Sequence, residues 1–310
     1  MKPLKVGIIG LGTVGLSLYK ILKKRKDLNI EIVSLCDKNN KVKIHKQDRY
    51  KFETDYKKTL NSDAEIIIEL IGGLNPAETI IKKALKNGKN IITANKELLA
   101  KKGKNLFNLA DKKNKSIKYE ASVGGAIPII SNLKRLKTIN TIKSIKGILN
   151  GTTNYILSQM HTNDISFSLA LQKAQKNGFA EENPALDISG KDAIYKTILL
   201  TFTAFNKWIN FSNVKSNGIK KISIEDIQKA KSSGKKIKLI CTVKKLDHNP
   251  TIKVAAEEID ASSNFYNIEN EFNAVEINGE FFDSLLFKGK GAGGFPTASS
   301  VLSNILEFRP

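Results

Sequence analysis

Asp192 and Lys196 stand one helical turn apart in KDAIYKTILLTFTAF, a stretch that becomes apolar on nearly every side after the lysine. A carboxylate and an ammonium spaced i, i+4 share a face, and on an exposed helix such a pair is worth only about 0.2–0.5 kcal/mol. This helix is patterned for burial, and a lysine entering a buried segment must be paired, solvated by a cavity or neutral. Desolvation lowers its pKa and Asp192 raises it, which would make Lys196 a proton carrier near neutral pH. Ser189 and Asp192 also fit S-x-x-D, so the spacing predicts a capping box. Glu181, Glu182 and Asp187 add carboxylates to the preceding loop, a setting suited to a cationic amine on a substrate.

A second constellation lies near the start. GIIGLGTVG places Gly10, Gly12 and Gly15 as G-x-G-x-x-G between an apolar strand and a helix. The first two glycines allow a tight turn and close approach of a pyrophosphate, and the third lets the helix pack near the strand. Asp37 ends the second strand, where an acid can accept from the ribose hydroxyls of NAD, while Lys38 beside it could instead meet a 2′-phosphate. Dinucleotide binding is therefore predicted, with NAD and NADP both open.

ITANKELLA puts Lys96 just past a strand, in the first turn of a helix, where the helix dipole disfavours a cation. The carboxyl edge of a parallel sheet is its ligand-facing edge, so Lys96 is a second functional candidate. YEASVGGAIP joins Glu120 to a Gly-Gly turn and a proline; it reads equally as a bend between domains and as a turn whose carbonyls hold a hard cation. His45, His161 and His248 sit in no motif, and neither Cys36 nor Cys241 follows a nucleophile pattern. Covalent acyl chemistry is thereby disfavoured, and hydride transfer with lysine as proton carrier remains.

These groups need a scaffold. KVGIIG, EIVSLCD, AEIIIELIG, NIITAN and SIKYEAS read as strands, alternating with the helices TVGLSLYKILKK, PAETIIKKALKNG and KELLAKKGKNLFNLADKKN. Continuous apolar strands alternating with helices specify a doubly wound parallel sheet of Rossmann type. After about residue 130 the pattern changes to helix-like PIISNLKRL and NYILSQMHTN, the Lys196 helix, and strand-like IKKISI, KIKLICTVKKL, TIKVAAEEI, AVEIN and SLLFKG. The expected class is α/β: a dinucleotide-binding domain over 1–130, an α+β domain over 131–287, and a glycine loop with a helix over 288–310.

The formal net charge of +21 would suit nucleic acid or an anionic membrane. Apart from Arg25, Arg49, Arg135 and Arg309, however, the basic residues are lysines dispersed over helices and loops, without the arginine and aromatic interleaving of base and phosphate readers. No apolar run reaches membrane-spanning length, and MKPLK followed by VGIIGLGTVG does not make a signal-peptide core. Both cysteines lie in strand-like runs and read as buried small hydrophobes of a reducing compartment. The expectation is a cytoplasmic protein that binds neither nucleic acid nor membrane.

GIIGLGTVG, TANKELLA, YEASVGGAIPII, GILNGTTNYIL, GFAEENPALDISGKDAIYK and GAGGFPTASSV follow one another over nearly the whole chain. Together they resemble homoserine dehydrogenase. The resemblance implies NAD(P)-dependent interconversion of L-homoserine and L-aspartate 4-semialdehyde, on the route to threonine and methionine. By motif position, Lys196 resembles the family's proton-transferring lysine, Lys96 the second lysine near substrate and nicotinamide, and Asp192 the acid beside the catalytic lysine. Glu181 resembles the acid that holds the substrate amino group, and Asp187 joins it as a substrate-binding position. Cofactor contacts are implied at Gly10, Leu11, Gly12, Thr13, Val14 and Gly15, and at Gly72, Lys96 and Gly293. Glu120, Val123, Gly125 and Ile127 correspond to positions that hold a monovalent cation, Na+ or K+. The resemblance further implies that the second domain binds substrate and makes a homodimer and that the terminal segment returns to the nucleotide domain; many longer members append a regulatory ACT domain, which is not expected here. Sugar and polyol dehydrogenases share the Rossmann domain, but their Glu-Lys-Pro signature is replaced by Asn95-Lys96-Glu97. A dinucleotide-sensing DNA regulator would need a recognition-helix module, which the sequence lacks.

Overall fold

KVGII, IIIE and NIIT are apolar on both faces, and strands buried on both sides belong in a parallel sheet covered by helices. The computed structural model describes residues 2–246 and 249–309, so His248 lies outside the described residues. Its chain divides into two units, Met1–Ala126 with Gly293–Pro310, and Ile127–Ala292.

The first unit runs β1 (Leu4–Ile9), α1 (Thr13–Lys24), β2 (Ile30–Cys36), β3 (Phe52–Glu53), α2 (Tyr56–Asn61), β4 (Ile66–Glu69), α3 (Ala77–Lys86), β5 (Asn90–Thr93), α4 (Lys96–Lys112) and β6 (Ile117–Lys118). The sheet order is β3-β2-β1-β4-β5-β6, all parallel, and it reverses direction between β1 and β4. That reversal is where open α/β sheets bind ligands, beyond the strand carboxyl ends. Ile8 registers with Ile68 and Ile68 with Ile92, and these side chains are fully buried with Leu18 and Leu35. SIKYEAS is a strand only over Ile117–Lys118; Glu120–Ser122 instead form a 3-10 turn. Side chains pull the backbone out of the sheet there. The amide of Glu120 donates to Asn304 Oδ1 at 2.8 Å, and Ser122 Oγ donates to the Thr93 carbonyl at 3.0 Å.

The second unit runs α5 (Ile129–Ile139), β7 (Ile142–Ile148), α6 (Gly151–Asn163), α7 (Phe167–Lys176), α8 (Ala185–Ile188), α9 (Lys191–Phe205), α10 (Ile224–Ser232), β8 (Lys236–Leu246), β9 (Asn249–Ile259), β10 (Phe272–Gly279) and β11 (Ser284–Lys290). Its five strands form an antiparallel sheet ordered β11-β10-β7-β8-β9. IKKISI is not a strand. The β-branched isoleucines Ile219, Ile222 and Ile224 suggest a strand, but Ser223 and Asp226 exchange both bonds of a capping box and start α10. Residues 288–290 pair with Phe272–Ala274, so β11 keeps them in this sheet and the returning segment begins at Gly293, later than the 288 expected. That segment carries α11 (Gly294–Leu306), whose Ala298, Val301 and Ile305 join the first unit's core.

Both cysteines are buried; desolvation pushes the Cys36 thiol up to about 11 and the Cys241 thiol to about 12, which makes them inert. Among the described residues no helix is long and apolar enough to cross a membrane.

Candidate active site

The glycine turn occupies the carboxyl end of β1, and each glycine has a separate reason to lack a side chain. Gly10 has φ +99, and a Cβ there would lie 2.6 Å from the Leu70 backbone; at Gly15 it would lie 2.0 Å from the Gly10 carbonyl oxygen. At Gly12, by contrast, a Cβ would meet nothing within 4 Å, so that position faces open space at the head of α1. Thr13 and Val14 form the first turn of α1, whose unbonded amides make a ready anion site. The adjoining cleft, about 510 Å³, is lined by Gly10, Gly12, Asp37, Lys38, Tyr56 and Ile71, among others. Asp37 Oδ2 accepts from the Leu11 amide at 2.6 Å and Oδ1 from the Asn39 amide at 2.9 Å, which aims the carboxylate at the turn. A concave site with a bare helix head and one oriented acid fits a dinucleotide. Gly12→Val is expected to weaken NAD(H) binding by about tenfold or more while leaving the thermal midpoint unchanged, read by fluorescence titration and thermal melts.

Lys96 is the first residue of α4, and its placement depends on a carboxylate that sequence patterning passes over. Glu69, fully buried at the end of β4, accepts from Thr93 Oγ1 at 2.7 Å and from the amides of Ile71 and Gly72 at 2.8 and 3.3 Å. Burial drives its carboxyl above the usual range, and these hydrogen bonds pull it back. Asn95 donates to the Gly73 carbonyl at 2.7 Å and caps α4 by accepting from the Leu98 amide at 3.0 Å. Gly72, at φ +82, and Lys96 are thus set by one buried network. The available signal was an acid closing an otherwise apolar strand, IIIE.

The terminal segment arrives beside the glycine turn. A Cβ at Gly294 would lie 2.5 Å from Ser17 Oγ and 3.1 Å from the Thr13 carbonyl, so α11 starts in close contact with α1, and Gly293, at φ +116, caps it. Glu120 and Val123 are buried in the turn after β6. Gly125 follows at φ +58, its carbonyl accepting from Ser300 Oγ at 2.6 Å. Ile127 opens the second unit.

In the second unit the opening pair is buried as patterned. Asp192 is 5% exposed and Lys196 7%, and Nζ donates to Asp192 Oδ2 at 2.8 Å and to the Leu149 carbonyl at 2.7 Å. Asn150, unassigned from sequence, joins the group. Its Nδ2 donates to Asp187 Oδ1 at 2.7 Å and to Asp192 Oδ2 at 2.8 Å, while its Oδ1 caps α6 through the Thr153 amide at 2.8 Å. Asn-Gly-Thr at a helix start was the readable cue. The body of α9 supplies rigidity: Thr197, Thr201 and Thr203 are buried, each hydroxyl donating to the carbonyl four residues earlier at 2.7–2.8 Å.

The capping box expected at Ser189 is absent. α9 begins after Gly190, at φ +78, with no side-chain cap, and Ser189 Oγ donates to the Leu186 carbonyl. Close packing sets this turn, since a Cβ on Gly190 would lie 2.4 Å from Ser216 Oγ. Asp192 is thereby released from capping to hold Lys196 and Asn150. Glu181 is exposed on the loop after α7, and among the described residues its carboxylate makes no hydrogen bond or ion pair. The structure thus gathers Asp187, Asp192 and Lys196 and does not bring Glu181 into that group.

The family model described as homoserine dehydrogenase matches residues 128–306, and that of its NAD binding domain matches residues 10–120. The homoserine dehydrogenase of Neisseria gonorrhoeae is 37% identical over 316 residues, spanning 99% of this chain and 73% of its own. That of Helicobacter pylori is 38% identical over 315 residues, 99% and 74% respectively. The crystal structure of a homoserine dehydrogenase from Thiobacillus denitrificans superposes with a TM-score of 0.93 at 33% identity, covering 99% of this chain and 73% of that one.

Proposed function

The chain belongs to the homoserine dehydrogenase family, oxidoreductases acting on a CH–OH group with a nicotinamide cofactor, and from that premise we propose how its residues share the reaction. L-homoserine and L-aspartate 4-semialdehyde are interconverted with Lys196 as the proton carrier. The observation that carries this reading is the buried Lys196 ammonium, held on two sides by Asp192 and the Leu149 carbonyl. When bound, the nicotinamide ring supplies the hydride in reduction and takes it in oxidation.

In the reducing direction Lys196 Nζ gives a proton to the oxygen that develops negative charge, and a positioned ammonium stabilises that charge before the transfer is complete. In oxidation the neutral amine takes the hydroxyl proton. Asp192, 2.8 Å from Nζ, keeps the side chain from swinging away. Glu181 and Asp187 take the substrate ammonium, and Lys96, fixed by the Glu69 network, lies near substrate and nicotinamide. Gly10 to Gly15, Gly72 and Gly293 bracket the dinucleotide.

By motif position, Glu120, Val123, Gly125 and Ile127 are the residues we assign to a monovalent cation, since backbone carbonyls and a carboxylate are hard oxygen donors. A homodimer, a cytoplasmic address and a place in threonine and methionine biosynthesis belong to the same proposal.

Initial rates of homoserine oxidation with NAD+ and with NADP+, followed by nicotinamide absorbance, test the reading and rank the cofactors. Oxidation of polyols with none of homoserine would overturn it. Glu181→Gln is expected to raise the KM for homoserine by about tenfold with folding stability within about 0.5 kcal/mol of wild type, because the residue is exposed.

A further inference from the structure

The second unit buries a lysine that the proposed chemistry does not use. Lys238, on β8, is 1% exposed; Nζ donates to the Ile268 carbonyl at 2.7 Å, to Asn154 Oδ1 at 3.2 Å and to Ser158 Oγ at 3.5 Å, with Glu269 Oε2 3.5 Å away. A cation at Oδ1 dictates which way the Asn154 amide points. Its Nδ2 then donates to the carbonyls of Ile268, Asn270 and Phe272 at 3.0, 2.9 and 3.1 Å. Ser158 Oγ accepts from the Asn270 amide at 3.0 Å. Lys238, Asn154 and Ser158 therefore clamp residues 268–272 onto α6. The clamped segment bears on the start of that helix, since a Cβ on Gly151 would lie 2.8 Å from the Glu271 carbonyl oxygen. The preceding residue is Asn150, which holds Asp187 and Asp192.

We propose that Lys238 is a positioning residue for the proton-transfer site: it seats the 268–272 segment against the first turn of α6 and, through Asn150, fixes Asp187 and Asp192. This rests on the homoserine dehydrogenase reading of the same site.

The charged and titratable groups facing Lys238 are Glu269 in the clamped segment, Lys236 on its own strand and His161 on α6, with Lys231 of α10 bonded to the His161 carbonyl. His161 stays neutral, because burial pushes its pKa down to about 4 and Nε2 accepts from the Ile237 amide at 2.8 Å. Burial likewise pushes Lys238 down to about 8, against the pull of Glu269. Its folded pKa lies below the unfolded value, so the unfolded chain binds more protons between those two values and this group makes stability rise with pH there. A site that loosens as Lys238 deprotonates would loosen while this contribution to stability grows.

The test is a double-mutant cycle on the full chain, assaying homoserine oxidation at saturating cofactor for wild type, Lys238→Met, Asn150→Ala and the double variant. Lys238→Met is expected to lower kcat/KM by about tenfold with cofactor Kd unchanged, and by less than about twofold when Asn150 is already alanine. Multiplying losses, or a Lys238→Met enzyme with full kcat/KM, would overturn the proposal. If the methionine variant does not fold, Lys238→Gln, which keeps a donor without the charge, carries the same cycle. In the wild type the KM for homoserine is expected to rise above pH 8 with no drop in thermal midpoint, and a flat KM overturns the proposal. A wild-type enzyme with no homoserine oxidation would instead defeat the functional reading.

Discussion

Lys196→Ala is expected to lower kcat for homoserine oxidation by about 10²–10⁴, the range for loss of a positioned acid or base if the proposed role holds, and to leave NAD(H) affinity near wild type. The separation follows from where the residues sit. Lys196 is held by Asp192 and Leu149 in the second unit, whereas the glycine turn, Asp37 and the head of α1 belong to the first. Single-turnover rates and cofactor titration on the same variant measure the two effects separately. Near-normal turnover would remove Lys196 from the chemistry. Lys196→Arg is also expected to be slow, because a guanidinium cannot give up its proton at working pH.

Asp192→Ala is expected to cost about 3–5 kcal/mol of stability, since it leaves an ammonium buried without its counterion. Asp192→Asn should cost less, because the amide oxygen still accepts from Nζ. The double variant Asp192→Ala with Lys196→Met should recover most of the loss, as apolar replacement of a buried pair is often neutral. Denaturant unfolding of the three variants measures all of this. A destabilised double variant would mean that Asp192 matters to folding mainly through Asn150.

Two kinds of information separate what the sequence reveals here from what it hides. The β1–turn–α1 unit was readable because Gly10 and Gly15 answer to local backbone geometry, which sequence encodes residue by residue. Lys196 was readable because one cation in an apolar run breaks a pattern. Asn150 was not, since its meaning lies in contacts 37 and 42 residues away, and a cap residue looks the same whether or not its amide has other work. Glu69 was hidden likewise: its partners Thr93 and Asn95 come from the next strand and helix. Ser189 shows the converse error, a local motif overruled by packing, for the turn at Gly190 is shaped by Ser216 and Gly218. The isoleucines around the start of α10 misled differently, because a capping box four residues long outweighs the strand preference of three β-branched residues.

The threonines of α9 give that helix two different margins for change. Each hydroxyl donates to its own backbone, so the surrounding strands and helices need provide no acceptor for it, although Thr197 also bonds the Cys241 thiol of β8. Neighbouring residues can therefore drift among apolar types of similar volume without stranding a polar atom. At the Lys196 end no such latitude exists, because every partner is a specific oxygen on another element or one turn away. One helix is thus tolerant along its length and intolerant at its tip, and random substitution around it should map that gradient directly.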